Sequence, residues 1–319
     1  MESLTIRPFR RGDRDQLADL VNAHARAVVP GVSVSVNAIM AQLEHEPNEF
    51  ILDPWIEQRA TLVAELRSRI VGGAHLVRYS RDPSVGEHYR GAGEIRWLLF
   101  WPASPDGPNW PDPSPAGQAL MSAACRQLDT WGASPQYAGG DLPAPGVYGV
   151  PGQWPHVSAA YEAAGFRHGG RIEVIFMARL QDLRPGPPRP PGLTFERTVG
   201  INGTRFTGRL GSAAGYVEVE LRDEPHRTPG HVVWADIGNL ELPDDRGEGG
   251  LGRWLIEEAS RWMLLSGADA ILAYATLDDA EEISLLTSAG FTELARTARG
   301  WSREQGPTRT PQRSARPGA

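Results

Sequence analysis

The sequence predicts an α+β chain built as two copies of one topology, and three features carry that expectation. Toward the C-terminal end a short apolar strand, Asn239-Leu-Glu-Leu242, runs into a glycine-dense turn, Pro243-Asp-Asp-Arg-Gly-Glu-Gly-Gly-Leu-Gly252. That turn opens straight into an amphipathic helix, Arg253-Trp-Leu-Ile-Glu-Glu-Ala259. Two separate stretches, His156–Phe166 and Asp279–Phe291, each read as a helix that ends in Ala-Gly-Phe and hands over to a strand. Between the copies lies Leu183-Arg-Pro-Gly-Pro-Pro-Arg-Pro-Pro-Gly192, whose composition makes a semi-rigid, extended linker. At 319 residues the length suits two domains.

The elements follow in order. Leu4–Phe9 reads as a first strand, and a helix capped by Asp13 places Leu17, Leu20, Val21, His24 and Val28 on one face. A second helix is expected from Val36 to His45. Ala60–Ala64 and Ile70–Arg78 form a strand pair turned at Arg67-Ser-Arg69, and Glu94–Trp101 is a long apolar strand. After a proline-rich insertion, Pro102–Pro115, a helix runs from Gln118 to about Trp131. The Ala-Gly-Phe helix and the strand Arg171–Arg179 close the first copy. The second copy has strands at Leu193–Thr198, Thr204–Leu210, Tyr216–Leu221 and Val232–Leu242, with no convincing helix between the first two. Asp269–Ala275 and Thr292–Trp301 supply its last strands. Boundaries are therefore expected at 1–182, a linker 183–192, a shortened second domain 193–302 and a basic, proline-rich, disordered tail 303–319.

The glycine-dense turn has the chemistry of a phosphate site. Glycines let successive N–H groups converge, and the helix behind adds its unpaired donors and the positive end of its dipole. A Walker A loop does not fit, because Gly252 is followed by Arg253-Trp254 and not by Lys-Ser/Thr. A dinucleotide fingerprint can be traced through Gly247, Gly249 and Gly252, with Asp278 and Asp279 after the next strand. Pro243–Arg246 separates it from its strand, however, and too little chain follows for a doubly wound sheet. A purely structural strand-to-helix turn is the remaining alternative.

Arg246-Gly-Glu-Gly-Gly-Leu-Gly252 after a strand, followed by helix, strand, helix and Ala-Gly-Phe, resembles the acetyl-CoA site of the GNAT superfamily of N-acetyltransferases. The repeat of the closing signature makes the whole chain resemble a tandem GNAT. The resemblance implies two GNAT-like domains, each a mixed, mostly antiparallel sheet flanked by helices. It implies acetyl-CoA as cosubstrate, with Leu240 and Leu242 offering backbone groups to the pantetheine arm. Arg246, Gly247, Gly249, Gly250, Leu251 and Gly252 would then hold the pyrophosphate, and Asp279 would stand near the cofactor's amide. Arg246 lies one residue further from the glycines than is usual in the family.

Acetyl transfer to an amine needs a neutral amine, a polarised thioester and a proton for the leaving sulfur. The resemblance implies a strand carboxylate for the first, Glu94 in one half and Asp236 in the other, and a helix tyrosine for the last. Tyr161 occupies that tyrosine position in the first half, whereas the second half has Leu286. The first half in turn lacks the phosphate loop, keeping only Gly117-Gln-Ala119 at its end. The loop Gly146–Pro155, aromatic and glycine-rich, is placed to line a pocket from the other side. On the residues alone, Tyr161 also reads as a core aromatic, and Glu94 and Asp236 as solvated strand-end carboxylates. Two functions stay open: an N-acetyltransferase acting on a small-molecule amine, and a silent tandem GNAT that binds CoA as a sensor or scaffold.

Composition narrows the partners. No stretch reaches the ~18 consecutive apolar residues of a membrane span, and the N-terminus lacks a signal-peptide pattern. One cysteine excludes an intrachain disulfide, which makes a reducing cytoplasm the default. The net charge of −7 argues against nucleic acid and favours a cationic acceptor. Eight histidines show no metal-ligand spacing, so no metal site is expected. The chain is expected to act as a monomer or homodimer.

Overall fold

The computed structural model describes residues 4–44, 55–101, 114–201, 203–222, 232–242 and 250–304. The first half opens with β1 (Thr5–Pro8), α1 (Arg14–Val28), α2 (Val36–Leu43), β2 (Ile56–Leu66), β3 (Arg69–Tyr79) and β4 (Gly93–Phe100). It continues through α3 (Ser114–Thr130), β5 (Gln136–Ala138), β6 (Val150–Pro151), α4 (Pro155–Ala163) and β7 (Arg167–Arg179). The second half comprises β8 (Thr194–Gly200), β9 (Gly203–Leu210), β10 (Ala213–Leu221), β11 (Trp234–Glu241), α5 (Leu251–Leu265), β12 (Ala270–Thr276), α6 (Ala280–Ala289) and β13 (Thr292–Arg303).

Local chemistry explains most of these elements. In α1 the residues Leu17, Leu20, Val21, His24 and Val28 are all buried, as a 3.6-residue period requires. Ser35 caps α2 by accepting from the Ala38 N–H at 3.1 Å. The β2–β3 turn is the tight kind, with both Arg67 and Ser68 at positive φ. Asp13 does not cap α1, contrary to the sequence expectation. Its carboxylate instead accepts from both terminal nitrogens of Arg7, at 2.7 and 2.8 Å, and from the Arg10 N–H. A charge-assisted fork outcompetes a neutral helix N–H. Arg303, placed at the start of the tail by sequence, is the last residue of β13 and donates to Gln136 Oε1 at 2.6 Å.

All thirteen strands form one sheet, with β1-β2-β3-β4-β5-β13-β7-β12-β11-β10-β9-β8 along its path and β6 beside β13. Equating β1 to β5 with β8 to β12 in turn, and β7 with β13, makes that order a palindrome; β6 has no counterpart. The two halves are thus copies of one topology, with parallel pairs β4–β5 and β11–β12 among otherwise antiparallel neighbours. One feature differs from the sequence reading, which gave each half its own closing strand. β7, from the first half, lies against β12 of the second, while β13 lies against β5 of the first. The closing strands are exchanged, and they pair with each other at the centre.

The cores follow the exchange. Val174, Phe176 and Ala178 of β7 join the apolar cluster around α5 and α6, whereas Ile175, on the opposite face, joins the cluster around α1 and α3. Trp234, Leu272 and Trp301 of the second half belong to that first-half cluster as well. As the sequence implied, β8 passes to β9 without helices, the two strands pairing from Thr194↔Arg209 to Gly200↔Gly203.

His75 in β3 gives the fold a pH dependence. It is 1% exposed, shares a 2.9 Å hydrogen bond with Thr61 Oγ1 and stacks on Trp97. Burial first, and then the Arg96 and Arg59 charges, push its pKa down to about 3. The folded chain therefore refuses a proton that the unfolded chain accepts below its ordinary value of about 6.5. Stability is fully present above that value and is lost as pH falls through it toward 3. At pH 5 the loss from this group amounts to roughly 2 kcal/mol. Chemical denaturation at pH 7 and pH 5 should show His75→Gln losing about that much less between the two than the wild type.

Candidate functional site

β11 and β12 run parallel only from Trp234↔Ala270 to Asp236↔Leu272. β11 then continues along β10, and β12 along β7, so the two strands part. A bulge at Gly238, where Glu218 pairs with Asn239 and Val219 with Ile237, bends β11 at that point. Beyond Asp236 the β12-facing edge of β11 has no ladder partner among the described residues.

The first turn of α5 follows the parted strand. Its first helical bond among the described residues is Trp254 N–H to the Gly250 carbonyl, and the N–H groups of Leu251, Gly252 and Arg253 have no intrahelical acceptor among those residues. Gly250 sits at φ +69°, a left-handed conformation natural to glycine. At Gly252 an added Cβ would come within 2.7 Å of Leu242 and 3.3 Å of Leu285, so the end of β11, α5 and α6 meet here without room for a side chain. Helix N-terminal donors and the positive end of a helix dipole are chemistry that suits an anion. Arg246, Gly247 and Gly249 lie outside the described residues.

Asp236 is not a solvated strand-end carboxylate. It is fully buried, and Arg222 Nε donates to its Oδ2 at 2.9 Å. The Tyr148 hydroxyl also donates to Oδ2, at 3.3 Å, and accepts from Arg222 at 2.9 Å. Arg222 is held in turn by Glu220 at 2.6 Å. The Tyr274 hydroxyl stands near the carboxylate without completing a well-formed hydrogen bond, and Asp236 Oδ1 has no partner among the described residues. Burial raises the Asp236 pKa, and Arg222, Tyr274 and Tyr148 oppose it.

The first half has the corresponding parting. β4 and β5 pair in parallel from Gly93↔Gln136 to Ile95↔Ala138, and β4 carries its bulge at Arg96. Glu94 is held by the Tyr79 hydroxyl at 2.5 Å and by Arg96 at 3.3 Å. Burial raises the Glu94 pKa, with Arg96 acting against it. Outside this pair lies a pocket of ≈ 290 Å³ walled by Trp55, Tyr79, Tyr89 and Arg96. Tyr161 is fully buried in α4, where its hydroxyl donates to the Gly139 carbonyl at 2.7 Å and its ring packs on Phe166 and Trp301. Burial raises its pKa well above the ordinary value.

Several sequence-selected residues have structural duties. Asp279 caps α6, its Oδ1 accepting from Glu282 N–H at 2.9 Å. Leu286 is fully buried in the core beneath α6. Leu240 and Leu242 lie at the end of β11 and just beyond it, packed on the α5 cluster. Sequence reasoning missed Arg222, Tyr274, Tyr79 and Arg96. Only the strand register brings Arg222 to Asp236, and nothing in the spacing of the two residues signals it.

No protein-family model matches the chain, and no curated protein matches it either. Solved structures do. A tandem GNAT protein from the clavulanic acid biosynthesis pathway superposes over 96% of this chain and 100% of its own, at a TM-score of 0.65 and 16% identity. A glucosamine N-acetyltransferase region of a fungal multi-domain beta-N-acetylglucosaminidase matches 95% of this chain at a TM-score of 0.63 and 12% identity. The match covers 38% of that larger protein. A GCN5-related N-acetyltransferase from Sphaerobacter thermophilus matches 94% of each chain at 0.57 and 12% identity. The fold is thus that of a tandem GNAT, two acyl-CoA N-acyltransferase-like halves in one chain.

Proposed function

We propose that the protein is an acetyl-CoA-dependent N-acetyltransferase acting on a small amine, with cofactor and chemistry both in the second half. The observation that carries this reading is the parting of β11 and β12 directly beyond Asp236, with Gly252 at the start of α5 packed against Leu242 at the end of β11. Acetyl-CoA, when bound, supplies the activated acyl group. The N–H groups of Leu251, Gly252 and Arg253 would hold its pyrophosphate, joined by Arg246, Gly247 and Gly249 of the glycine-dense turn. The backbone of Leu240 and Leu242 would meet its pantetheine arm. Asp279, committed to capping α6, would stabilise that wall of the site and make no direct contact.

Asp236 is the base in this reading. Its Oδ1 is buried and makes no hydrogen bond among the described residues, so an amine that reaches it would meet an unsatisfied acceptor, and burial raises the carboxylate's pKa, which suits a base. The proton that nitrogen loses on acylation is the one the leaving sulfur needs. Asp236 can return it, which the hydrocarbon of Leu286 cannot. Glu94 and Tyr161 have no step here; their bonds to Tyr79, Arg96 and Gly139 give them structural work in the first half.

Asp236→Asn should lower thiol release from acetyl-CoA, in the presence of an amine panel, by about 10²-fold or more. Acetyl-CoA binding should stay within a few-fold of wild type. Undiminished turnover would refute the assignment. Leu286 favours the second reading, a CoA-binding module without turnover. That reading predicts binding with no amine-dependent thiol release in either protein.

A further inference from the structure

The second half lacks the helices that stand between the first two strands of the first half, so one face of its sheet needs another cover. That face carries Trp234, Asp236, Leu272 and Tyr274. Trp234 and Leu272 belong to the first-half core cluster, and Tyr274 packs against it. The cover is the first-half loop between β5 and β6. Gly146 in that loop, at φ +74°, approaches so closely that an added Cβ would lie 2.9 Å from Val29 and 3.0 Å from Leu272. Two residues on, the Tyr148 ring meets the Tyr274 ring edge-on at 5.3 Å.

We propose that the first half builds the acceptor-side wall of the second half's site, with Tyr148 as a positioning residue that fixes the Asp236 carboxylate. The proposal rests on the reading of Asp236 as the base. Tyr148 and Arg222 both occupy Oδ2, and they are bonded to each other, so the carboxylate has one orientation that satisfies all three groups. Oδ1 takes no part in that arrangement: it is buried, without a hydrogen bond among the described residues, and the Tyr274 hydroxyl stands near the carboxylate. The groups facing Asp236 are Arg222 and Glu220 at the end of β10, Tyr274 on β12 and Tyr148 from the loop. Tyr148 alone comes from the other half. Tandem duplication then makes sense of two incomplete halves: one keeps the glycine-dense turn and strand carboxylate, and the other keeps the elements that enclose the acceptor.

The test is a ¹³C-carboxyl NMR titration of aspartate-labelled full-length protein, with the Asp236 resonance assigned through Asp236→Asn. Tyr148→Phe removes one donor to the carboxylate, so its titration midpoint should rise by about half a pH unit or more. Arg222→Gln should raise it further, and Tyr148→Phe should keep a cooperative thermal transition. In the wild type, saturating acetyl-CoA should also move the Asp236 resonance. An unchanged midpoint in Tyr148→Phe overturns the positioning role. A raised midpoint with no response to acetyl-CoA retains the clamp between the halves and refutes the site reading on which the rest depends.

Discussion

Replacing Trp301 with alanine is expected to destabilise the first half of the protein, although Trp301 lies in the last strand of the second. Its side chain is 3% exposed and packs 5.8 Å from the Tyr161 ring and 5.2 Å from the His168 ring, both first-half residues. Its backbone position pairs with Ala138 of β5 on one side and His168 of β7 on the other. Truncating a buried tryptophan typically costs about 3–5 kcal/mol. Here the cost should fall on β5 and α4, because β13 is the strand that closes that part of the sheet. Hydrogen exchange read by mass spectrometry checks it. Protection should drop in 136–166 before it drops in 251–289. Loss confined to β12 and α6 would contradict the exchanged strand order.

The second large effect concerns Gly250. A glutamate there would put a side chain where φ is +69° and an added Cβ would lie 3.2 Å from Pro187 of the linker. It would also bring a negative charge to the end of α5 that favours anions. In the proposed site the variant should lose acetyl-CoA affinity by about 100-fold or more, the sum of blocked donors and reversed electrostatics. Gly250→Asn separates the causes, since asparagine tolerates the left-handed region and brings no charge. It should retain most of the affinity. The histidine and tyrosine effects above are smaller, because each removes one hydrogen bond or one titration.

Much of the architecture was legible in the sequence because periodicity and caps are local. The buried face of α1, the glycine after α6 and the absence of helices between β8 and β9 were all readable from neighbours within a few residues, whereas the capping role of Asp279 was not read. The strand exchange was not. Alternation in Val174, Ile175 and Phe176 says which face each side chain takes, but β5 and β12 offer the same kind of edge to either closing strand. Asp13 misled for a related reason. An aspartate before an apolar period is the usual cap, and a guanidinium six residues earlier overrode it.

The candidate site divides along the same line. Gly250, Gly252 and Asp236 lie near each other in the chain, and their types announce the chemistry. Tyr148 and Arg222 are separated by 74 residues and meet through the packing of one half against the other. The loop carrying Tyr148 was conspicuous in sequence for its glycines and aromatics, while its target was not. Tyr161 shows the converse. The matching residue type is present, yet its hydroxyl is bound to Gly139 inside the core.

The most direct test of the central claim is a calorimetric titration of acetyl-CoA into the full-length protein and into Gly250→Glu, with Gly250→Asn alongside. One site per chain is expected in the wild type, retained in the asparagine variant and lost in the glutamate variant, with all three proteins folded by thermal melt. Equal binding by wild type and Gly250→Glu, or no binding by a folded wild type at millimolar acetyl-CoA, would contradict it.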